Sequence, residues 1–288
     1  MALRTLPLDA VQLARFADRG YVTVPGLFSE AEVGKMDDAV GAWARRQTEA
    51  WQPGAGAAAD YKAAFLAAWR AAGRPSFRRS PQRNLQHREF FEFCRSPRLL
   101  EAVAQILQTT EISMHGIFNA RPMMPGAAWT PWHQDGQYSG RHGETDFSVG
   151  LTRPVLSVWF PLHDLDAARG GLEVVALEDT GRGLFPDTFV DPDSGLIAIE
   201  PEIVAGFDGE VPLIKRGDAL LFTQINAHRG TPNRSGDARW SVDVRYEASD
   251  GALESGRRFG FVVQSPSGRF EEDTFETWHA RCLANLPS

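Results

Sequence analysis

The stretch PWHQDGQY, residues 131–138, holds the chain's most suggestive chemistry. His133 and Asp135 stand two apart, so in an extended strand their side chains project from one face. An imidazole beside a carboxylate is either part of a metal site or a polar pair on a solvated turn. The H-x-D spacing alone does not separate the two. His142-Gly143-Glu144 repeats the form, but it lies in GRHGETDF, a Gly-flanked polar stretch that reads as a loop. His163 and Asp164 are adjacent, so in a strand they diverge. His87, His115 and His279 have no carboxylate at a useful spacing and read as structural or solvated.

A second chemistry-bearing segment is QINAHRGTPNRSGDARWSVDVRYE, residues 224–247. His228 follows the apolar run DALLF. The turn residues TPNRSGD come next. Then a strand alternates, with Arg239, Ser241, Asp243 and Arg245 on one face and Trp240, Val242, Val244 and Tyr246 on the other. A hairpin would bring His228 and Arg239 onto neighbouring strands. The apolar face must be buried. The polar face suits solvent or a polar cavity, and the pattern leaves both open.

These residues need a scaffold, and the chain has material for one. It has 288 residues, 43% hydrophobic and 23% charged, the balance of a folded globular protein. The net charge of −7 argues against nucleic acid as the main partner, because phosphate binding wants clustered Lys and Arg. Two cysteines, Cys94 and Cys282, make neither a disulfide framework nor a thiolate metal cluster. No run of about 18 apolar residues predicts a membrane span, and the N-terminus lacks the apolar core of a signal peptide. The expected location is cytoplasmic.

Helical spacing covers Asp9 to Gly20. Ser29 and Glu32 predict a capping box for a helix running to about residue 49. YKAAFLAAWRAAG is helix-forming through its alanines, and Ser96-Pro97 opens another helix. Between them lies a basic, irregular stretch, residues 74–95, with Arg74, Arg78, Arg79, Arg83, Arg88 and Arg95. It reads as a solvated loop, with a cosubstrate or substrate contact as the competing reading. After about residue 110, short β-like runs alternate with Gly, Pro and Asp turns, the pattern of a sandwich or barrel. No flexible linker divides the halves, so residues 1–288 read as one domain: a largely helical part to about 110, a β core from about 110 to 265, and a tail.

Taken together, the motifs resemble the phytanoyl-CoA dioxygenase family of iron(II)- and 2-oxoglutarate-dependent oxygenases. GYVTVPGLFSEAEV is similar to that family's N-terminal opening, and PWHQD to its first metal motif. VLSVWFPLHDLDAARGGLEVV resembles the segment where a Trp precedes an acidic loop and a Gly-x-Leu strand. KRGDALLF, the distal His and an Arg eleven residues after it resemble the C-terminal signature. The resemblance implies a double-stranded β-helix (jelly-roll, cupin-like) core flanked by α-helices. It implies that His133, Asp135 and His228 bind the metal and that Arg239 pairs with the distal carboxylate of 2-oxoglutarate. It places Trp159 near the cosubstrate. Two His and one carboxylate leave three iron positions open. Related halogenases lack the carboxylate, so Asp135 points to oxygenation.

The chain also departs from the family pattern. ALEDTGRG stands where the family often has Pro-Gly-Ser/Thr-His, and Gly230 where some members carry a cosubstrate-binding Ser. Thr231 and Ser241 are the hydroxyls available to replace it. Gln137, Tyr138 and Arg245 are candidate substrate contacts. The implied activity is hydroxylation, or another oxidation, of an unactivated C–H bond in a small-molecule metabolite. It consumes O2 and 2-oxoglutarate and releases succinate and CO2. The implied partners are that small molecule and no nucleic acid or membrane, in a monomer or homodimer. The competing readings are a cupin-like metal-dependent dioxygenase or isomerase that does not use 2-oxoglutarate, and a non-catalytic ligand-binding barrel. Arg239 counts against the first and an intact ligand set against the second.

Overall fold

The structure is a computed structural model that describes residues 7–75, 85–126, 130–139, 154–192, 195–249 and 259–285; the side chains of Tyr138 and Ser139 also lie outside the description. Helix α1, Ala10–Arg19, starts at a capping box in which the Asp9 carboxylate accepts from the Gln12 backbone N–H and the Gln12 side chain accepts from the Asp9 N–H. It ends at Gly20, whose φ of 75° is left-handed. A Cβ there would also meet Leu177 Cδ1 at 2.5 Å, so geometry and space both require glycine. Strand β1 is Tyr21–Val24. Helix α2, Glu30–Trp51, carries the predicted Ser29–Glu32 capping box. Helices α3 (Tyr61–Ala71), α4 (Arg88–Phe93) and α5 (Pro97–Leu107) complete the N-terminal layer, with Pro97 in the first turn of α5.

The remaining strands are β2 (Ile112–Met114), β3 (Asn119–Met123), β4 (Val155–Pro161), β5 (Leu172–Val174), β6 (Thr188–Val190), β7 (Ile197–Ile199), β8 (Ala219–Thr223), β9 (His228–Gly230), β10 (Arg239–Ala248) and β11 (Phe261–Gln264). Short helices α6 (Gly136–Ser139), α7 (Leu177–Thr180) and α8 (Pro201–Val204) interrupt them, and α9 (Phe275–Ala284) follows them. A seven-stranded sheet runs β1-β8-β4-β10-β2-β11, with β3 also paired to β10. Its ladders are antiparallel. Strand β10 is long enough to hold β4 along one edge and both β2 and β3 along the other.

The smaller layer is built from the pairs β5-β9 and β6-β7. An antiparallel bridge between His133 and His228, and a bond from Ile199 N–H to Trp132 C=O, knit the two pairs together through residues 132–133. Two sheets wound in this way form the double-stranded β-helix, a jelly roll.

The period-2 pattern of β4 and β10 sorts their side chains between two environments. Leu156, Val158, Phe160, Trp240, Val242, Val244 and Tyr246 join the main core beneath the helices. Trp240 is the anchor: its ring centroid lies 5.1 Å from Phe65 and 5.4 Å from Tyr61. That one core draws on residues from Leu8 to Cys282. Between the sheets a second cluster gathers Tyr21, Trp159, Leu172, Val174, Ala176, Ile214, Leu220 and Phe222.

The opposite face of β10 settles the choice between solvent and cavity. Arg239, Ser241, Asp243 and Arg245 are all buried, at 3%, 1%, 3% and 6% exposure, so this polar row lines the inside of the roll.

The basic stretch is in part structural. Arg88 pairs with Glu276, Arg95 pairs with Glu272, and Arg74 lies over the Trp69 ring, while Arg78, Arg79 and Arg83 fall outside the described residues.

Candidate metal centre

His133 and His228 face each other across the bridge between the 132–133 segment and β9, with ring centroids 4.1 Å apart. Each Nδ1 lies against a backbone carbonyl: His133 against Pro131 O at 2.8 Å, His228 against Asn226 O at 2.9 Å. Such a bond selects the tautomer with hydrogen on Nδ1 and leaves Nε2 with its lone pair. The two Nε2 atoms lie 4.0 and 3.9 Å from Asp135 Oδ1. The ligand atoms of His133, Asp135 and His228 all fall within 4.8 Å of one another, and all three residues are buried. Burial, with His228 adding to it, lowers His133 to about 3, and burial also lowers His228 below its ordinary value of 6.5. Both imidazoles are therefore neutral at working pH, the state a metal needs.

Asp135 is held as an anion. Burial alone would raise its pKa, but the groups around it, the Arg245 guanidinium foremost, together outweigh burial and keep the carboxyl below the usual carboxylate range. Arg245 Nε donates to Oδ2 at 3.0 Å and Nη2 to Oδ1 at 2.7 Å. Ser157 Oγ on β4 donates to Oδ2 at 2.6 Å. Arg245 Nη1 donates to Asp243 Oδ2 at 2.7 Å and to Ile117 O at 3.2 Å. Asp243 also accepts from Arg121 Nε at 2.9 Å and Asn119 Nδ2 at 2.7 Å, both from β3. The charges alternate along the chain Asp135–Arg245–Asp243–Arg121. Deleting Arg245 would leave the Asp135 carboxylate buried without its cationic partner, at a cost of about 3–5 kcal/mol.

Gln134 points away from the ligands, as the alternation predicts. Its amide donates to Gly183 O and Ile225 O, and its carbonyl accepts from Phe185 N–H. That clamp fixes the backbone between His133 and Asp135.

At the other end of the β10 row, Arg239 Nη1 donates to Gly171 O at 2.8 Å. Ser241 Oγ is buried and has no hydrogen-bond partner among the described residues. Asp243 is the register partner of Trp159, which shares its face with Ser157. Metal ligands, Trp159, Ser241 and Arg239 thus line one interior.

Three of the candidate residues make bonds within the protein. Arg245, a candidate substrate contact, is buried and committed to Asp135 and Asp243. The Gln137 side chain accepts from Gln134 N–H and donates to Phe185 O, and so braces a turn. The Thr231 hydroxyl accepts from Gly171 N–H at 2.7 Å, so it steadies the peptide that Arg239 meets instead of offering a free donor. The Tyr138 side chain and the whole of His142-Gly143-Glu144 lie outside the described residues. His115 accepts from Ile117 N–H, His163 accepts from Trp240 N–H, and His279 stacks on Phe275, so these three serve the fold. Ser157, Arg121 and Asn119 support the site through contacts that their positions in the sequence do not announce. The one signal available was that Asp243 and Arg245 share a face of β10.

The model of the phytanoyl-CoA dioxygenase family matches residues 16–241. The chain belongs to that family. With its two-His, one-Asp site it is an iron- and 2-oxoglutarate-dependent enzyme of the oxygenase class. No curated protein matches the chain.

Solved structures share the fold at low identity. EvdO2 from Micromonospora carbonacea var. aurantiaca, complexed with 2-oxoglutarate, is 17% identical over 94% of this chain and 96% of its own, with a TM-score of 0.55. The epimerase SnoN, in complex with Fe3+, alpha ketoglutarate and nogalamycin RO, is 14% identical over 92% of each chain, with a TM-score of 0.54. EctD from S. alaskensis is 18% identical over 86% of this chain and 80% of its own, with a TM-score of 0.53.

Proposed function

We propose that this protein hydroxylates an unactivated C–H bond of a small-molecule metabolite, using iron(II), 2-oxoglutarate and O2, and that the whole chain acts as one catalytic domain. The observation that carries the reading is the convergence of His133 Nε2, Asp135 Oδ1 and His228 Nε2 inside a buried polar interior that also contains Arg239. Nitrogen and oxygen donors in this two-His, one-carboxylate set suit non-haem iron(II) and leave room for exchangeable ligands. Iron bound there would supply the oxidising chemistry that couples decarboxylation of 2-oxoglutarate to oxidation of the substrate.

The chain's own groups have separate tasks. The backbone carbonyls of Pro131 and Asn226 orient the imidazoles. Arg239 offers a permanently charged planar fork for the distal carboxylate of 2-oxoglutarate. Ser241 Oγ offers a hydroxyl beside it, in the role Gly230 cannot fill. Trp159 walls the interior between Ser157 and the β8 side chains Leu220 and Phe222.

A second outcome has specific support. The similar SnoN structure is that of an epimerase holding Fe3+ and alpha ketoglutarate, which supports a C–H reaction that leaves no hydroxyl group on the product as the second outcome. Among the described residues no helix is long and apolar enough to cross a membrane.

The test is to supply purified protein with iron(II), ascorbate and 2-oxoglutarate and follow succinate, then screen metabolites for enhanced turnover. A product one oxygen heavier than its substrate supports hydroxylation. A product of unchanged mass, or two hydrogens lighter, supports the alternative. Absence of both succinate and 2-oxoglutarate binding to the iron-loaded protein rejects the reading.

A further inference from the structure

We infer that Arg245 is a positioning residue for the metal, holding the Asp135 carboxylate so that it presents a single oxygen, Oδ1. The inference rests on the ligand assignment above and adds an atom-level constraint to it.

A carboxylate oxygen has about two lone-pair sites. Both on Oδ2 are taken, by Ser157 Oγ at 2.6 Å and Arg245 Nε at 3.0 Å. Oδ1 accepts one bond, from Arg245 Nη2 at 2.7 Å, and keeps its second site. Oδ1 is also the oxygen nearest the imidazoles, 4.0 and 3.9 Å from their Nε2 atoms. Asp135 is thus a one-point ligand by construction. A two-point carboxylate would occupy a position that 2-oxoglutarate and O2 need.

The torsion that turns an Asp carboxylate is broad, so sequence position alone does not orient it. Two parallel N–H···O bonds from one planar fork do. Arg245 cannot turn either, because Nη1 is tied to Asp243 and Ile117 O, and Asp243 is tied to Arg121 and Asn119 on β3. The orientation of the metal ligand is therefore referred to the main sheet rather than to the 132–135 segment that carries Asp135. Four guanidinium N–H groups are committed in this way, which removes Arg245 from contact with substrate. A lysine would supply charge without a fork.

The test measures iron(II) affinity and the visible absorption band formed when 2-oxoglutarate chelates the bound iron, both without oxygen. The proteins are the wild type, Arg245→Gln, Arg245→Lys and Ser157→Ala. Circular dichroism and thermal melting monitor folding. Arg245→Gln should bind iron about 10–100-fold more weakly, with a shifted band, the scale expected when an outer partner of a metal ligand is lost. Arg245→Lys should recover part of the affinity without restoring the band position. Ser157→Ala should weaken iron binding by a smaller factor. A folded Arg245→Gln with wild-type affinity and an unshifted band overturns the inference. If Arg245→Gln does not fold, Arg245→Lys and Ser157→Ala decide: wild-type affinity and band in both overturn it. A wild-type protein that binds neither iron nor 2-oxoglutarate rejects the proposed function instead.

Discussion

The two ends of the inner face of β10 contain the same residue type in different surroundings. Arg245, at one end, meets two carboxylates of its own chain, Asp243 and the serine-braced metal ligand Asp135. Arg239, at the other, donates to a neutral carbonyl and stands two residues from a buried hydroxyl with no hydrogen-bond partner among the described residues. The first end is complete before anything binds. The second carries a cation and a spare hydroxyl, the groups that receive a carboxylate. Under the proposed function, one strand provides a fixed half that orients the metal and a receptive half that takes the cosubstrate.

Replacing ligands should break the fixed half most severely. His133→Ala or Asp135→Ala should abolish measurable iron binding and activity, read by iron titration and succinate assay. Asp135→Ala should also destabilise the apoprotein, because the buried Arg245 loses one of its two carboxylates and keeps only Asp243; denaturant melting checks this.

Arg239→Ala tests the receptive half. Loss of a charged hydrogen-bonding partner of this kind is worth about 1.5–3 kcal/mol, so the 2-oxoglutarate requirement should rise roughly 10–150-fold. Iron affinity should stay unchanged. A loss of iron binding in this variant would erase the distinction between the two ends.

Acid should act on the fixed half through its imidazoles. His133 has its pKa lowered to about 3 in the fold, against an ordinary value of 6.5. Between those values the unfolded chain binds more protons, so stability rises with pH there and is lost as pH falls from about 6.5 toward 3. His228 shifts in the same direction, and Asp135, also lowered, adds loss below the usual carboxylate range. Thermal melting of the apoprotein should fall across that window. His133→Gln should flatten the fall.

Ser241→Ala carries the smallest expected effect. An ordinary hydrogen bond contributes about 0.5–1.5 kcal/mol, so 2-oxoglutarate should bind a few-fold more weakly. The apoprotein should be no less stable, since this hydroxyl bonds nothing in the described structure.

Much of the frame was legible because it depends on periodicity. The alternation in RWSVDVRY separated an apolar face from a polar one, and both exist. The Ser29–Glu32 cap and the Gly20 stop were local chemistry and appeared as read. The β9 histidine and the H-x-D pair were legible as chemistry but met only through a bridge between distant segments. What alternation cannot tell is which carboxylate an arginine on that face meets. That depended on Asp135 arriving from a segment 110 positions away in sequence from Arg245. The bonds of Gln137 and Thr231 were hidden for a related reason: pattern does not say which carbonyls and N–H groups of neighbouring turns a polar side chain meets.

The central claim is that one interior holds iron at His133, Asp135 and His228 and 2-oxoglutarate at Arg239. Titration of the iron-loaded protein with 2-oxoglutarate under anaerobic conditions tests it most directly, with wild type beside Arg239→Ala. The account predicts a saturable visible absorption band in both proteins, reached at roughly 10–150-fold higher 2-oxoglutarate in the variant. No band in the wild type, or the same saturation curve in both, would contradict it.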